Sequence, residues 1–188
     1  TKTSYMHIYN LEQAGYIIES VAGRNYASYG GNPTLYKQLR KLSGDAVYKG
    51  KSSSNYRYRE SIDGGPVKDR TGKNLSYFDV TINVNFTQKR INGNMDLSIS
   101  QNNYEPTSII LKDGSISNDV GRISFGGKTE SINQDFPNSP YTGEYHGMLM
   151  GDNADQLSGT FNITRETNQN TTSKWEQFVG GFAAEKQK

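Results

Sequence analysis

The sequence has no cysteine. That excludes a disulfide framework, a zinc ribbon, a thiol nucleophile and a cysteine-held iron–sulfur cluster. Histidine is nearly as scarce, with 2 in 188 residues, so most histidine-based metal sites are excluded too. No run approaches the roughly 18 apolar residues of a membrane-spanning helix. Apolar residues make up 32% of the chain, low against the roughly 45–50% of ordinary globular domains. Each element must therefore bury one face and leave the other to water. Aromatics are plentiful, with 13 Tyr, 7 Phe and 1 Trp, which argues against disorder. The length suits one domain with a small appendage.

The formal net charge of +2 is unevenly spread. Residues 1–74 hold 12 Lys and Arg against 6 Asp and Glu, and the remainder is mildly acidic. The basic–aromatic run Tyr48-Lys49, Lys51 and Tyr56-Arg57-Tyr58-Arg59 has the look of a nucleic-acid strip. The small net charge and the acidic remainder weigh against nucleic acid, and a solvated loop accounts for the same residues. Catalysis finds no motif: there is no Gly-x-Ser-x-Gly, no His-Glu-x-x-His and no phosphate-binding loop. Carboxylates such as Glu130 and Asp135 read as solvated turn charges. The chain is not expected to be an enzyme.

From residue 75 onward the pattern has period two. Phe78, Val80, Ile82, Val84 and Phe86 alternate with polar residues, which predicts a half-buried strand. Ile91, Met95, Leu97 and Ile99 predict its hairpin partner. Further strands are predicted over 107–111, 122–129, 141–150, 159–166 and 176–184, after a first strand at 46–51. Turn chemistry at Asp113-Gly114, Pro137–Pro140, Gly151–Asn153 and Asn168–Thr172 separates them. Glycines inside the strands, such as Gly143, Gly147 and Gly180-Gly181, suit tightly coiled barrel strands. Residues 51–74 are Ser-, Gly- and Arg-rich and read as a long loop.

The first 45 residues read as helical. Asn32 as N-cap, Pro33 in the first turn, then Leu35, Tyr36, Leu39 and Leu42, with Gly44 as the stop, predict an amphipathic helix. Leu11, Ile17, Ile18 and Val21 suggest a second, weakened by Gly15 and β-branched residues. The expected fold is mainly β: a small helical handle, residues 1–45, on an antiparallel eight-stranded barrel, residues 46–188.

Val47-Tyr48-Lys49-Gly50 resembles the opening strand of the barrels in transferrin-binding-protein-B-like surface proteins of Gram-negative bacteria. The hairpin from Phe78-Asp79-Val80 to Ile91-Asn92-Gly93-Asn94-Met95 is similar to theirs. So are the run from Gly147 to Gly159, with its Gly, Asn-Ala and Leu-x-Gly spacing, and the ending Gly180-Gly181-Phe182-Ala183-Ala184-Glu185-Lys186. The resemblance covers about residues 46–188, with Leu149-Met150 and Asp152 departing from the usual Phe-Tyr and Pro. It implies export through an outer-membrane translocon, a receptor as a further candidate partner, and binding of something outside the cell. The ligands it implies are haem, as in the secreted hemophilins, or a host protein such as haemoglobin, transferrin or a complement factor. The missing initiator Met suggests a mature product, either secreted or held at the outer-membrane surface. A Cys upstream of Thr1 in the precursor would mean a lipid anchor.

Two histidines then stand out. By the family pattern Leu149 points into the barrel, so His146, Met148 and Met150 line the outside of the same strand. A histidine beside two methionines fits haem held between handle and barrel, with His146 on the iron. The plainer alternative is that the handle simply packs on Met148 and Met150. His7, in Tyr5-Met6-His7-Ile8-Tyr9, is the second candidate iron ligand. Tyr9 and Tyr29, with Tyr5 and Tyr26, are candidates to line the pocket. A surface adhesin or lipoprotein whose handle binds a host protein, without a cofactor, is the competing reading.

Overall fold

The alternation over residues 78–86 becomes the inward face of a closed barrel. The computed structural model describes residues 5–21, 24–96, 108–119, 121–132, 139–169 and 171–188. A three-stranded antiparallel sheet comes first: β1 (Tyr5–Asn10), β2 (Ala14–Val21) and β3 (Arg24–Gly31). One helical turn, α1 (Tyr36–Leu39), follows. The barrel then comprises β4 (Asp45–Ile62), β5 (Lys68–Asn85), β6 (Arg90–Asp96), β7 (Ser108–Asp119), β8 (Arg122–Ile132), β9 (Thr142–Met150), β10 (Gln156–Gln169) and β11 (Thr172–Lys186). Each strand pairs antiparallel with its neighbours, and β11 closes on β4.

Val80, Ile82, Ile91, Leu111, Leu149 and Phe161 are among the side chains that fill the interior. Glycine makes room for the rings. A Cβ on Gly180 would stand 2.3 Å from the Phe161 ring. The outward positions of the barrel strands, among them Lys49, Asp79, Asn83, Lys128 and Glu144, are polar and exposed. A lipid-facing barrel has the opposite arrangement, apolar outside. Among the described residues no helix is long and apolar enough to cross a membrane.

Four sequence expectations change. The handle is a β-sheet, not a helical unit. In β2, Ala14, Tyr16, Ile18 and Ser20 are buried while Ile17 and Val21 are exposed. The period is therefore two, disguised because a tyrosine and a serine share the inward face with the aliphatics. The helix expected from Asn32 shrinks to α1, because the chain before it is occupied otherwise. Thr34 donates its amide to the Leu149 carbonyl at 2.8 Å, and Gly151 donates to the Asn32 carbonyl at 2.8 Å. Residues 32–35 thus run extended along the barrel rim, so Asn32 caps nothing. Leu35 is the N-cap, its amide donating to Gln38 Oε1 at 2.6 Å.

The loop expected over 51–74 is mostly strand. β4 and β5 extend as one long hairpin around a turn at 63–67. Small polar residues are buried here on both faces of the strand: Ser52, Ser53, Ser54 and Asn55 are wholly buried. Ser52 donates to the Gly181 carbonyl at 2.7 Å. β7 also runs past the expected turn at Asp113-Gly114, which is a bulge between Leu111 and Ser115. The Tyr145 hydroxyl fills the space a Gly114 side chain would need, 2.4 Å from its Cβ position. Leu97, Ile99, Thr107 and Pro137 lie outside the described residues.

One charged cluster is sealed inside the barrel. Arg165 on β10 and Glu176 on β11 have side chains 4% and 1% exposed. Arg165 donates from Nε at 3.0 Å and from Nη2 at 2.6 Å to one carboxylate oxygen. The Tyr56 hydroxyl and Lys174 Nζ reach the other, at 2.5 Å and 3.0 Å. The guanidinium lies 4.3 Å from the centre of the Tyr141 ring. Burial pushes the Glu176 carboxyl up, but the hydrogen bonds from Tyr56, Arg165 and Lys174 outweigh it and hold it below its ordinary value.

Candidate interaction surfaces of the handle and barrel

The handle lies on the outside of β10 and β11, and tyrosine attaches it. Tyr16 and Ile18 of β2 pack on Ala183. Tyr16 lies against Gly181, where a Cβ would come within 2.6 Å of its ring. Ser53 Oγ donates to the Tyr16 hydroxyl at 3.0 Å. Tyr9 stacks on Tyr16 with ring centres 5.5 Å apart, and the register places Tyr29 on its other side. Both flanking tyrosines are half-buried in this seam. Tyr9 and Tyr29 thus sit where handle meets barrel, packed beside Tyr16.

The opposite face of the sheet is open. Met6 is 60% exposed and Ile8 49%, and Ile17, Val21 and Tyr26 are exposed beside them. Register puts Ile8 opposite Ile17, and Met6 in line with Glu19 and Tyr26. These five are half of the large apolar side chains exposed among the described residues. Sequence reading passed over this face. The alternation of Met6 and Ile8 in β1, and of Ile17 and Val21 in β2, was the available signal.

His146 is on the outer wall of β9, as the family pattern implied. Its side chain is 63% exposed, with Nε2 3.6 Å from a Glu144 oxygen. Lys128 also reaches Glu144, and its hydrogen bond holds that carboxyl below the usual range. Met148 is half-buried, and Met150 is buried and pairs with Pro33 through an isolated bridge. His7 pairs with Ile18 in the handle sheet, and its side chain is outside what the structure describes.

A groove of about 570 Å³ separates β3 from the wall formed by β9 and β10. His146, Asn25 and Tyr26 line it, whereas Met148, Met150, Tyr9 and Tyr29 do not. It brings one imidazole to the place expected for a ligand, between walls mostly of hydroxyls and amides. Among the described residues no group of three or more His, Asp or Glu is placed to hold a metal.

A barrel closed in this strand order, carrying a sheet on β10 and β11, can be set against known proteins. The family model for the C-lobe and N-lobe β-barrels of Tf-binding protein B matches residues 42–186. The chain belongs to that family. Its barrel resembles isotype 1 transferrin binding protein B from serogroup B Neisseria meningitidis (TM-score 0.58, 15% identity, 100% of this chain and 36% of that one). It also resembles HpuA from Kingella denitrificans, solved in complex with human haemoglobin (TM-score 0.52, 14% identity, 100% and 59%). A variant of transferrin binding protein B from Haemophilus parasuis Hp5 is similar as well (TM-score 0.53, 17% identity, 95% and 33%). At these identities the likeness is one of fold. The chain spans about a third of each transferrin binding protein B chain and about three fifths of HpuA. A comparison with curated proteins finds no match.

Proposed function

We propose that this Tf-binding-protein-B-type barrel belongs to an exported cell-surface protein that captures a host iron-carrying protein, transferrin or haemoglobin. The docking surface is the open face of the handle sheet. The observation that carries this reading is the cluster of Met6, Ile8, Ile17, Val21 and Tyr26 on one side of β1–β3. Contiguous exposed apolar side chains on a polar protein mark an interaction site. The resemblance to proteins named for transferrin binding, or solved with haemoglobin, supplies the partner class. The activity is binding rather than catalysis, and the site of action is the bacterial surface.

The test is interferometry of the chain against human transferrin and haemoglobin, beside an Ile8→Lys, Ile17→Lys double variant. Saturable binding to one analyte, lost in the variant, supports the reading. Binding to neither, or binding indifferent to the variant, refutes it.

Haem is the second reading, on one observation: His146 lines the groove between handle and barrel. The hydroxyl and amide walls suit a flat apolar macrocycle poorly, which places haem behind the protein partner. Haemin titration decides it. A stoichiometric Soret band lost in His146→Ala would reinstate haem, and no band at micromolar haemin removes it.

A further inference from the structure

The wall of the groove has an order that neither protein docking nor haem explains. On the outer face of the barrel, Thr142, Glu144 and His146 of β9 stand opposite Thr164, Asn162 and Thr160 of β10. Gln177 and Val179 of β11 continue the rows. Strand spacing of about 4.8 Å and a two-residue repeat of about 6.8 Å make this a lattice roughly a disaccharide in size.

The polar groups are held in place. Gln177 Nε2 donates to Asn162 Oδ1 at 2.9 Å. That bond leaves the Asn162 amide nitrogen as donor and the Gln177 carbonyl as acceptor, side by side. Glu144 is the one carboxylate lining the groove, and Lys128 already answers its charge. Across the groove, Asn25 on β3 carries an amide whose nitrogen and oxygen have no partner among the described residues. Tyr26 borders the groove at the β3 edge, with its side chain on the outer face of the sheet.

We propose that this groove binds a neutral oligosaccharide. Each sugar hydroxyl both donates and accepts, which matches neighbouring amides and threonine hydroxyls. Among the described residues that line it, the one carboxylate is paired with Lys128 and there is no Lys or Arg, so they offer nothing to favour a phosphate or other anion. The proposal stands apart from protein docking, which uses the outer apolar face.

The test is NMR titration of the nitrogen-labelled chain with lactose and with N,N′-diacetylchitobiose, reading the side-chain amides of Asn162 and Gln177. The expected result is saturable shifts of those signals with at least one sugar. Asn162→Ala weakens binding about tenfold, while the Ile8→Lys, Ile17→Lys variant retains it. Absence of saturable shifts with both sugars at tens of millimolar overturns the proposal. So do shifts that map elsewhere, or affinity unchanged in Asn162→Ala. Signals that respond instead to an extended peptide adding to the β3 edge would also overturn it.

Discussion

Replacing Glu176 by Leu should cost far more stability than replacing Glu176 and Arg165 together. In the single variant, the Arg165 guanidinium remains 4% exposed and loses the acceptor of its bonds at 3.0 Å and 2.6 Å. Tyr56 and Lys174 lose theirs too. Lys174, with 27% of its side chain exposed, can turn to water, but Arg165 cannot. Its ring contact with Tyr141 recovers only part of the loss. Stranding one charge of a buried pair costs about 3–5 kcal/mol, a large share of the roughly 5–15 kcal/mol that a domain has. In a chain of this length the loss lowers Tm by roughly 6–20 °C. In the double variant Glu176→Leu with Arg165→Met no charge is stranded, and stability should be close to, or above, that of the native chain. Urea unfolding followed by fluorescence of Trp175, the single tryptophan, measures both on β11 beside the cluster. Equal losses in the single and double variants would refute the argument, because packing alone would then explain the effect.

Three further outcomes follow from the same structure. Because the Glu176 carboxyl is held below its ordinary value when folded, its stabilisation is present above the unfolded value near about 4.3. It is lost as pH falls through the folded value, so unfolding free energy should decline more steeply below pH of about 4 in the native chain than in the double variant. Gly181→Val should push Tyr16 off the wall, since even a Cβ there stands 2.6 Å from the ring. Hydrogen exchange should then quicken in β1–β3 while the barrel amides keep their protection; equal protection of the handle would contradict the packing described. Asn55→Leu should raise stability by about 1–2 kcal/mol in the same urea assay, because the buried Asn55 amide has no hydrogen-bond partner among the described residues. A loss would show that Asn55 is satisfied by a group such as a bound water.

The barrel was legible because its strands put aliphatics on every second position, as from Phe78 to Phe86, and let glycines mark where rings press on the wall. The handle was not legible, because Tyr16 and Ser20 occupy inward positions that a hydrophobicity count assigns to the surface. The hairpin over 51–74 hid for a related reason. Ser52 to Asn55 are wholly buried yet polar, a composition that reads as loop. His146 was placed correctly on the outer wall, because the family resemblance turned Leu149 inward and strand parity then turned His146 outward. What covers Met150, and the lattice of Thr, Asn and Gln beside His146, depend on long-range pairing of β9, β10 and residues 32–35. No local pattern encodes that pairing. The Arg165–Glu176 pair escaped for the same reason: 11 residues apart on adjacent strands, the two meet only once the hairpin register is known.

The account turns on where a protein partner sits. Hydrogen exchange of the chain, alone and with transferrin or haemoglobin, reads that position directly. The account predicts new protection across β1, β2 and the Tyr26 end of β3, with β5 to β8 unchanged. Protection confined to the barrel hairpins, or no complex with either transferrin or haemoglobin, would contradict it.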